Sequence, residues 1–335
     1  MSMGDLLSVR NLTVEYRTRR GVARALDNVS VSLPENTTLG LAGESGCGKS
    51  TLGRSIIRLV PYPGVIVGGE IIFSLRNDIE YDGQVIPKGE VDLVTLPEEA
   101  MRKLRGEEIA YIFQDPMTSL NPMITIADHF VELITTHNPE VTEEEALERA
   151  GEILDSLGIL PERMTDYPHQ FSGGMRQRVM IGLGLALRPR LLIADEPTTS
   201  LDVIVEAQIL DEITQLKEKF NLTMILITHN LGVLAQHADN IAIIYAGRLM
   251  ELADTETLFE NPQHPYTKAL LSAVPDVRKP EKKLAWIPGA PPDLTKPLEG
   301  CMYHPRCPMA TDRCRVEQPP LVKSPSGGLV ACHLY

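Results

Sequence analysis

A glycine-rich loop between an apolar strand and a helical segment constrains the fold of this chain more than any other feature. The apolar run Thr38–Ala42 leads directly into residues 43–50, which read GESGCGKS, and the pattern becomes helical from Thr51 to Leu59. The loop matches the phosphate-binding pattern G-x-x-x-x-G-K-[ST]. Glycines let backbone N–H groups converge on phosphate oxygens, and the following helix adds its positive end. This order predicts a nucleotide-binding α/β domain.

Two side chains of the loop have distinct predicted roles. Lys49 would reach the terminal phosphates of a nucleotide, and the Ser50 hydroxyl would hold Mg²⁺. The alternative, a glycine turn followed by a chance lysine, is disfavoured by the strand–loop–helix context. Cys47 is interpreted as a small loop residue without a redox role. The residues assigned to ATP binding in the loop are Gly43, Glu44, Ser45, Gly46, Cys47, Gly48, Lys49, Ser50 and Thr51.

Composition limits the class of protein. The chain has 335 residues, 43% hydrophobic and 23% charged, which is typical of a globular protein of one large domain and a smaller one. No apolar stretch approaches the roughly 18–20 residues that cross a bilayer, and the start shows no signal-peptide pattern. We therefore expect a cytosolic chain. The net charge of −13 argues against a dedicated nucleic-acid binder, since phosphate contacts need a basic surface.

Apolar runs alternate with helical patterns along the chain. Asp82-Gly83 is typical of a hairpin turn, and Thr142 with Glu145 fits a capping box within a mainly helical region, 123–170. Strands apolar on both faces, separated by helices, predict a parallel sheet covered on both sides. The predicted strands or β-rich regions are Leu6–Tyr16, Ala25–Leu33, Thr38–Ala42, 70–95, Ile109–Phe113, Leu191–Ala194 and Met224–Ile227.

Two further motifs suit nucleotide chemistry. The apolar run 191–194 ends in Asp195 and Glu196, which the sheet would hold at the edge where the phosphate loop lies. Asp195 then suits Mg²⁺, and Glu196 suits polarising an attacking water. Ser172-Gly173-Gly174 opens a helix and offers a second anion-binding terminus. Taken alone, each motif could be an ordinary surface loop; the phosphate loop favours the functional interpretation.

Together these motifs resemble those of the nucleotide-binding subunit of an ATP-binding cassette (ABC) transporter. GESGCGKS is similar to the Walker A loop, FSGGM to the signature, and LLIADE to Walker B. The resemblance assigns Gln114 to the Q-loop, Ser200-Leu201-Asp202 to the D-loop, His229 to the switch position and Tyr16 to adenine stacking. It implies Glu196, His229 and Gln114 as catalytic residues, and Ser50, Gln114 and Asp195 as Mg²⁺ ligands.

The resemblance also implies an architecture. The fold would be α/β: a P-loop ABC ATPase core with an antiparallel β-subdomain, a helical subdomain at about 115–175 and an irregular C-terminal extension. Two subunits would pair head to tail, so that Ser172, Gly173, Gly174 and Met175 of one subunit face the ATP of the other. Met175 stands where the family signature usually has glutamine.

Four longer segments, at 113–126, 171–181, 194–209 and 261–275, resemble the dipeptide/oligopeptide branch of ABC importers. This narrower resemblance implies an ATPase that powers peptide import through two membrane permeases. Its other partners would be a second ATPase subunit, identical or paralogous, and an extracytoplasmic substrate-binding protein. The chain would lie peripherally on the cytoplasmic face of the membrane.

Other substrates and one other class of protein remain as alternatives. Oligosaccharide or nickel import by the same type of complex would leave the same motifs. A soluble ABC ATPase acting on nucleic acid is disfavoured, because such proteins tend to carry coiled-coil insertions, a second cassette or basic linkers. Residues 74–95 look longer than the usual family segment, and the sequence suggests no function for them.

The C-terminal part has a different composition. Prolines recur beyond about residue 260, which predicts a boundary between an ABC nucleotide-binding domain at 1–262 and an extension at 263–335. Four of the five cysteines lie in this extension: Cys301, Cys307, Cys314 and Cys332. In a reducing cytosol such a group indicates a metal or cluster site more than disulfides.

The spacing of these cysteines does not decide which metal they bind. Both zinc and iron–sulfur clusters accept four thiolates. The resemblance favours a [4Fe–4S] cluster, because ATPases of this branch often end in a similar cysteine-bearing tail and some hold such a cluster. Zn²⁺ is the first alternative, and free or oxidised thiols are the second. His304 and His333 are expected to be neighbours of the cysteines and not ligands.

Overall fold

The structure is a computed structural model that describes residues 4–19, 21–114, 119–198, 202–273, 287–296 and 298–335. The chain divides into two compact units. The first comprises Met1–Asn77, Lys88–Leu96 and Leu226–Tyr335, and the second comprises Asp78–Pro87 and Pro97–Ile225.

Strands predominate up to Ile112, and strands and helices alternate between residues 191 and 245. The described strands are β1 (Asp5–Thr18), β2 (Gly21–Pro34), β3 (Thr38–Ala42), β4 (Gly64–Leu75), β5 (Ile79–Tyr81), β6 (Gln84–Ile86), β7 (Gly89–Asp92), β8 (Ile109–Ile112), β9 (Leu191–Asp195), β10 (Thr223–Ile227), β11 (Asn240–Tyr245), β12 (Arg248–Asp254), β13 (Val322–Lys323) and β14 (Leu329–Val330).

The described helices are α1 (Lys49–Ile56), α2 (Glu98–Glu107), α3 (Ile126–His137), α4 (Glu143–Ser156), α5 (Gly173–Leu185), α6 (Val203–Phe220), α7 (Leu231–His237), α8 (Thr255–Glu260), α9 (Pro265–Ser272) and α10 (Asp312–Val316). Short 3₁₀ turns lie at Pro161–Thr165, Pro168–Gln170 and His304–Arg306. Within the described ranges, no helix is both long enough and apolar enough to span a membrane.

The first unit contains two sheets. One is antiparallel, with the strand order β2-β1-β4-β7, and its strands β1 and β2 cover the predicted strands Leu6–Tyr16 and Ala25–Leu33. In the other, β3 is completely buried and pairs in parallel with β11, as the apolar run Thr38–Ala42 predicts. β11 pairs antiparallel with β12, and β12 pairs with β14 near the end of the chain. Strands from the C-terminal extension therefore continue the sheet that carries the glycine loop.

Helix α1 differs slightly from the sequence expectation. It begins at Lys49, inside the loop, and ends at Ile56, whereas the sequence predicted a helix from Thr51 to Leu59. Arg58 has a left-handed backbone with φ 54°, which ends the helix, and its guanidinium donates to the carbonyls of Leu93 and Leu96. Because α1 ends at Ile56, the Arg58 side chain can reach these two carbonyl groups.

The second unit contains the parallel strands β8 and β9 and the helices α3, α4 and α5. The predicted capping box of Thr142 and Glu145 is present, and the predicted hairpin turn at Asp82-Gly83 joins β5 to β6. Both residues of that turn have positive φ, 45° and 74°. The helices pack closely at Gly182, where a Cβ would lie 3.1 Å from the Phe130 ring and 3.2 Å from Ile153.

Candidate nucleotide-binding site

The glycine loop follows the buried strand β3 and has a backbone that only glycine adopts easily. Gly43 has φ 148°, and a Cβ there would lie 2.1 Å from the Ile244 carbonyl oxygen. Gly48 has φ 112°, and its Cβ would lie 2.5 Å from the Ala25 carbonyl oxygen. Both positions combine a left-handed conformation with close contact to neighbouring backbone, so any side chain would displace the loop.

Lys49 lies in the first turn of α1 and turns its side chain back over the loop. It is 6% exposed, and Nζ donates to the carbonyl oxygens of Gly43 at 2.7 Å and of Glu44 at 3.3 Å. Among the described residues, no side chain caps the helix at Gly48. A buried ammonium and an uncapped helix N-terminus give this loop a local positive potential, although the chain is acidic overall.

The other candidate residues of the first unit lie within the loop, in α1 or elsewhere in the chain, and they differ in exposure. Cys47 is buried, and burial raises the pKa of its thiol although Lys49 lowers it. Tyr16 is half-buried in β1, opposite Ala23 and Gly64 of the neighbouring strands. His229 is exposed and follows buried Thr228, just beyond the end of β10. Ser50 and Thr51 lie in the first turn of α1, and Ser45 and Gly46 lie in the loop itself.

The second unit holds the acidic pair at the end of β9. Asp195 is 1% exposed, and one of its carboxylate oxygens accepts from the Tyr111 hydroxyl at 2.7 Å. Glu196 is partly exposed, has a left-handed φ of 47°, and accepts from the Gln114 side-chain amide at 3.0 Å. The structure thus brings together Gln114 and Glu196, two predicted catalytic residues that lie 82 positions apart.

The signature and D-loop residues both lie at helix N-termini in this unit. Ser172 caps α5, its side chain accepting from the Met175 N–H at 3.4 Å, with Gly173 and Gly174 in the first turn. The Met175 sulfur accepts weakly from Arg163 at 3.8 Å. Asp202 caps α6 by accepting from the N–H groups of Ile204 and Val205. Ser200 and Leu201 lie outside the described residues.

The four cysteines of the extension line one small cavity of about 30 Å³. Burial, with smaller contributions from the nearby thiols of Cys314, Cys332 and Cys307, raises the pKa of the Cys301 thiol to about 11. None of the described cysteines forms a disulfide. Nevertheless, within the described ranges no group of three or more His, Cys, Asp or Glu side chains is arranged to hold a metal ion.

The two histidines near the cysteines already have backbone partners. His304 Nδ1 lies 2.9 Å from the Cys301 carbonyl oxygen, and His333 Nε2 lies 2.8 Å from the Glu317 carbonyl oxygen. One ring nitrogen of each histidine is therefore occupied. This agrees with their predicted position as neighbours of the cysteines.

Sequence reasoning missed several residues at this site. Tyr111, which holds Asp195, carries no local motif that distinguishes it from any strand tyrosine. Arg306 and Tyr266, in the C-terminal extension, contact Glu44 of the glycine loop from 262 and 222 positions away. Only the three-dimensional fold brings these residues to the loop.

The glycine loop on its buried strand, the acidic pair after β9 and the capped glycine helix define an ATP-binding cassette. The sequence pattern of the ABC transporter family matches residues 26–199, and the chain belongs to that family, as the motifs predicted. It is an ABC-type ATPase. A second family pattern, that of the oligopeptide/dipeptide transporter C-terminal region, matches residues 250–314.

Relatives match along almost the whole chain. A probable peptide ABC transporter ATP-binding protein of Sinorhizobium fredii is 45% identical, covering 98% of this chain and 94% of the relative. The dipeptide transport ATP-binding protein DppD of Escherichia coli is 41% identical, covering 98% and 96%. The oligopeptide transport ATP-binding protein OppD of the same organism is 42% identical, covering 98% and 92%.

Solved structures confirm the predicted fold class. A dimeric ATP-binding cassette in a post-hydrolysis state, bound to ADP and Pi, aligns with a TM-score of 0.63 at 26% identity. The alignment covers 74% of this chain and 98% of that cassette.

Proposed function

We propose that this chain hydrolyses ATP to power the import of di- or oligopeptides through partner membrane permeases. The observation that carries this proposal is the Gln114–Glu196 hydrogen bond of 3.0 Å at the end of a buried strand. It orients a carboxylate at the position that the family resemblance assigns to the catalytic base. The names of the relatives, which refer to dipeptide and oligopeptide transport, support the choice of substrate over oligosaccharide, nickel or nucleic acid.

In this proposal the loop from Gly43 to Thr51 binds the phosphates of ATP. Lys49 contacts the terminal phosphates, because its ammonium is already turned over the loop. Tyr16 stacks on the adenine ring, and His229 contacts the γ-phosphate. These two assignments rest on the family resemblance and agree with the half-buried position of Tyr16 and the exposed position of His229.

Each of the three residues that the family resemblance assigns to Mg²⁺ offers an oxygen, the ligand that Mg²⁺ prefers. The Ser50 hydroxyl, the Gln114 side-chain carbonyl and the Asp195 carboxylate would hold the ion, which when bound neutralises phosphate charge. Asp195 suits this role because it is buried and oriented by Tyr111.

Glu196 accepts the proton of the attacking water, and Gln114 orients Glu196 for that step. A positioned general base of this kind accelerates a reaction by roughly 10²–10⁴-fold. The partial exposure of Glu196 supports its access to water.

A second ATPase subunit completes each site in this proposal. Ser172, Gly173, Gly174 and Met175 of one subunit face the ATP bound by the loop of the other, with Asp202 beside them. The N-terminus of α5 offers backbone N–H groups to an anion. A dimeric state of the aligned cassette, bound to ADP and Pi, supports this pairing. The other partners are two permeases and a substrate-binding protein, with this chain peripheral on the cytoplasmic face of the membrane.

Lys49→Ala tests the phosphate loop. We expect the variant to lose ATP binding and turnover, because the phosphates lose a buried cationic partner. The measurement is nucleotide binding and phosphate release, followed by ATP-driven peptide uptake in vesicles that contain the permeases. Lys323→Ala, on an exposed strand, is the matched control and should behave as the wild type. Unchanged ATP turnover in Lys49→Ala would overturn the proposal. Normal turnover by the wild type, with uptake of oligosaccharide or Ni²⁺ instead of peptide, would overturn only the substrate.

We further propose that Cys301, Cys307, Cys314 and Cys332 hold a [4Fe–4S] cluster, for which their shared cavity is the support. Anaerobically purified protein should be brown, absorbing near roughly 400 nm, with about four irons per chain. Cys307→Ser should lose the colour, whereas Cys47→Ser, at the only cysteine outside the extension, should keep it. A colourless anaerobic preparation with one zinc per chain would contradict the cluster and favour Zn²⁺.

A further inference from the structure

The second residue of the glycine loop is held by the C-terminal extension. The Glu44 N–H donates to the Tyr266 hydroxyl at 2.9 Å, and Tyr266 lies in α9. The Glu44 carboxylate accepts two hydrogen bonds from the Arg306 guanidinium, at 2.6 Å to Nη1 and 2.9 Å to Nη2. Both the backbone and the side chain of Glu44 are thus fixed from outside the loop.

All the hydrogen-bond donors of Arg306 are used, two of them for Glu44. Its side chain is 4% exposed, and its three remaining donations go to the carbonyl oxygens of Ile287 and Pro288 and to the Tyr245 hydroxyl. A guanidinium has five N–H groups, and all five are used. Planar, bidentate pairing with a carboxylate fixes orientation as well as charge.

Arg306 lies beside three closely packed, buried tyrosines. Tyr245, Tyr266 and Tyr303 are fully buried and pack against one another, with ring centroids 4.6–5.3 Å apart. The guanidinium carbon of Arg306 lies 5.7 Å from the Tyr245 ring centroid. We call these four residues the tyrosine–arginine cluster. Through Tyr266 and Arg306, this cluster connects the C-terminal extension to Glu44 of the glycine loop.

The charge of Glu44 explains why the contact matters. A carboxylate next to Gly43 repels the phosphates that the loop would bind, and the repulsion is strong where water is partly excluded. Arg306 neutralises that charge through a bidentate ion pair. We propose that Arg306 is a positioning residue that sets the affinity of the glycine loop for ATP. This inference rests on the proposed role of the loop as the ATP phosphate site.

Arg306→Met tests the proposal, because methionine keeps an unbranched side chain over Tyr245 but removes every donor. We expect the Kd for ATP and the KM to rise about tenfold or more, since the Glu44 carboxylate is left unpaired. The kcat at saturating ATP should stay near that of the wild type. Arg313→Met removes an exposed ion pair with Glu317 in the same extension and is the matched control, expected to bind ATP normally.

The double variant Arg306→Met/Glu44→Gln separates charge from a general structural role. If Arg306 acts by neutralising Glu44, removing both charges should restore most of the ATP affinity; a loss that the second substitution does not rescue would overturn the proposal.

If circular dichroism finds Arg306→Met unfolded, Arg306→Lys replaces it. Weaker ATP binding by Arg306→Lys at an unchanged Tm supports the proposal, and wild-type binding overturns it. Lys49→Ala separates a failure of this inference from a failure of the proposed function. If Lys49→Ala binds ATP normally, the glycine loop is not the phosphate site, and the proposed function fails together with the role of Arg306.

Discussion

Asp195 and Glu196 are consecutive carboxylates with different surroundings. The left-handed backbone at Glu196, with φ 47°, turns the two side chains apart. Asp195 is buried and bound by the Tyr111 hydroxyl, whereas Glu196 is partly exposed and bound by Gln114. A non-glycine residue in this region costs of order 1–3 kcal/mol and persists only where the surrounding structure holds it. The turn therefore separates a carboxylate suited to a cation from one suited to water.

Tyr111→Phe should weaken the hold on Asp195. The ring keeps its contact with Phe113, but a buried carboxylate loses one hydrogen-bond donor, so we expect about 1–3 kcal/mol less stability. We also expect ATP turnover to need a higher Mg²⁺ concentration. Urea unfolding and a Mg²⁺ titration of phosphate release measure the two effects. Tyr81→Phe removes an exposed hydroxyl bound to Gln84 and is the control, with an expected change within about 0.5 kcal/mol. Equal stability of the two variants would contradict this role of Tyr111.

At the scale of elements, β14 joins the extension to the sheet that carries the glycine loop. The strand pairs with β12, and the Ala331 N–H donates to the Met250 carbonyl oxygen at 2.8 Å. Gly328 allows this approach, because its φ is +77° and a Cβ would lie only 2.2 Å from the Leu252 carbonyl oxygen. Two short strands thus attach a proline-rich segment that has few elements of its own.

Gly328→Ala should detach this strand. We expect a lower Tm than for Gly327→Ala, which is the matched control because Gly327 also has a positive φ, +98°, but no atom within 4 Å of its Cβ position. The difference between the two variants isolates the clash with β12 from the conformational cost, about 1 kcal/mol, that both share. Differential scanning calorimetry makes the comparison. Identical melting curves would mean that β14 does not stabilise the sheet.

Local sequence patterns predicted the elements and motifs that depend on neighbours in the chain. The glycine loop, the capping box at Thr142 and the turn at Asp82-Gly83 all follow from residues within a few positions of one another. Contacts between distant residues leave no such pattern. Nothing in the sequence around Arg306 indicates that it binds Glu44, because the pairing depends on how the extension packs against β11 and β12. The same holds for Tyr111 and Asp195.

At the scale of the whole molecule, the extension belongs to the same compact unit as the glycine loop. It supplies a strand beside β12, and it supplies Arg306 and Tyr266 to Glu44. The fold of the extension and the geometry of the phosphate loop are therefore coupled. The acidic pair, Gln114 and the glycine helix at Ser172 lie in the other unit. Each unit thus contributes one part of the proposed ATPase machinery.

Single-turnover ATP hydrolysis by Glu196→Gln tests whether Glu196 is the general base of this ATPase. The substitution keeps the size of the side chain but removes the base, so ATP binding should persist while hydrolysis slows by roughly 10²–10⁴-fold. The variant should also accumulate as an ATP-bound pair of subunits by light scattering. Glu218→Gln, at an exposed position on α6, is the control and should hydrolyse ATP at the wild-type rate. Hydrolysis by Glu196→Gln at that same rate, without pairing, would contradict the account.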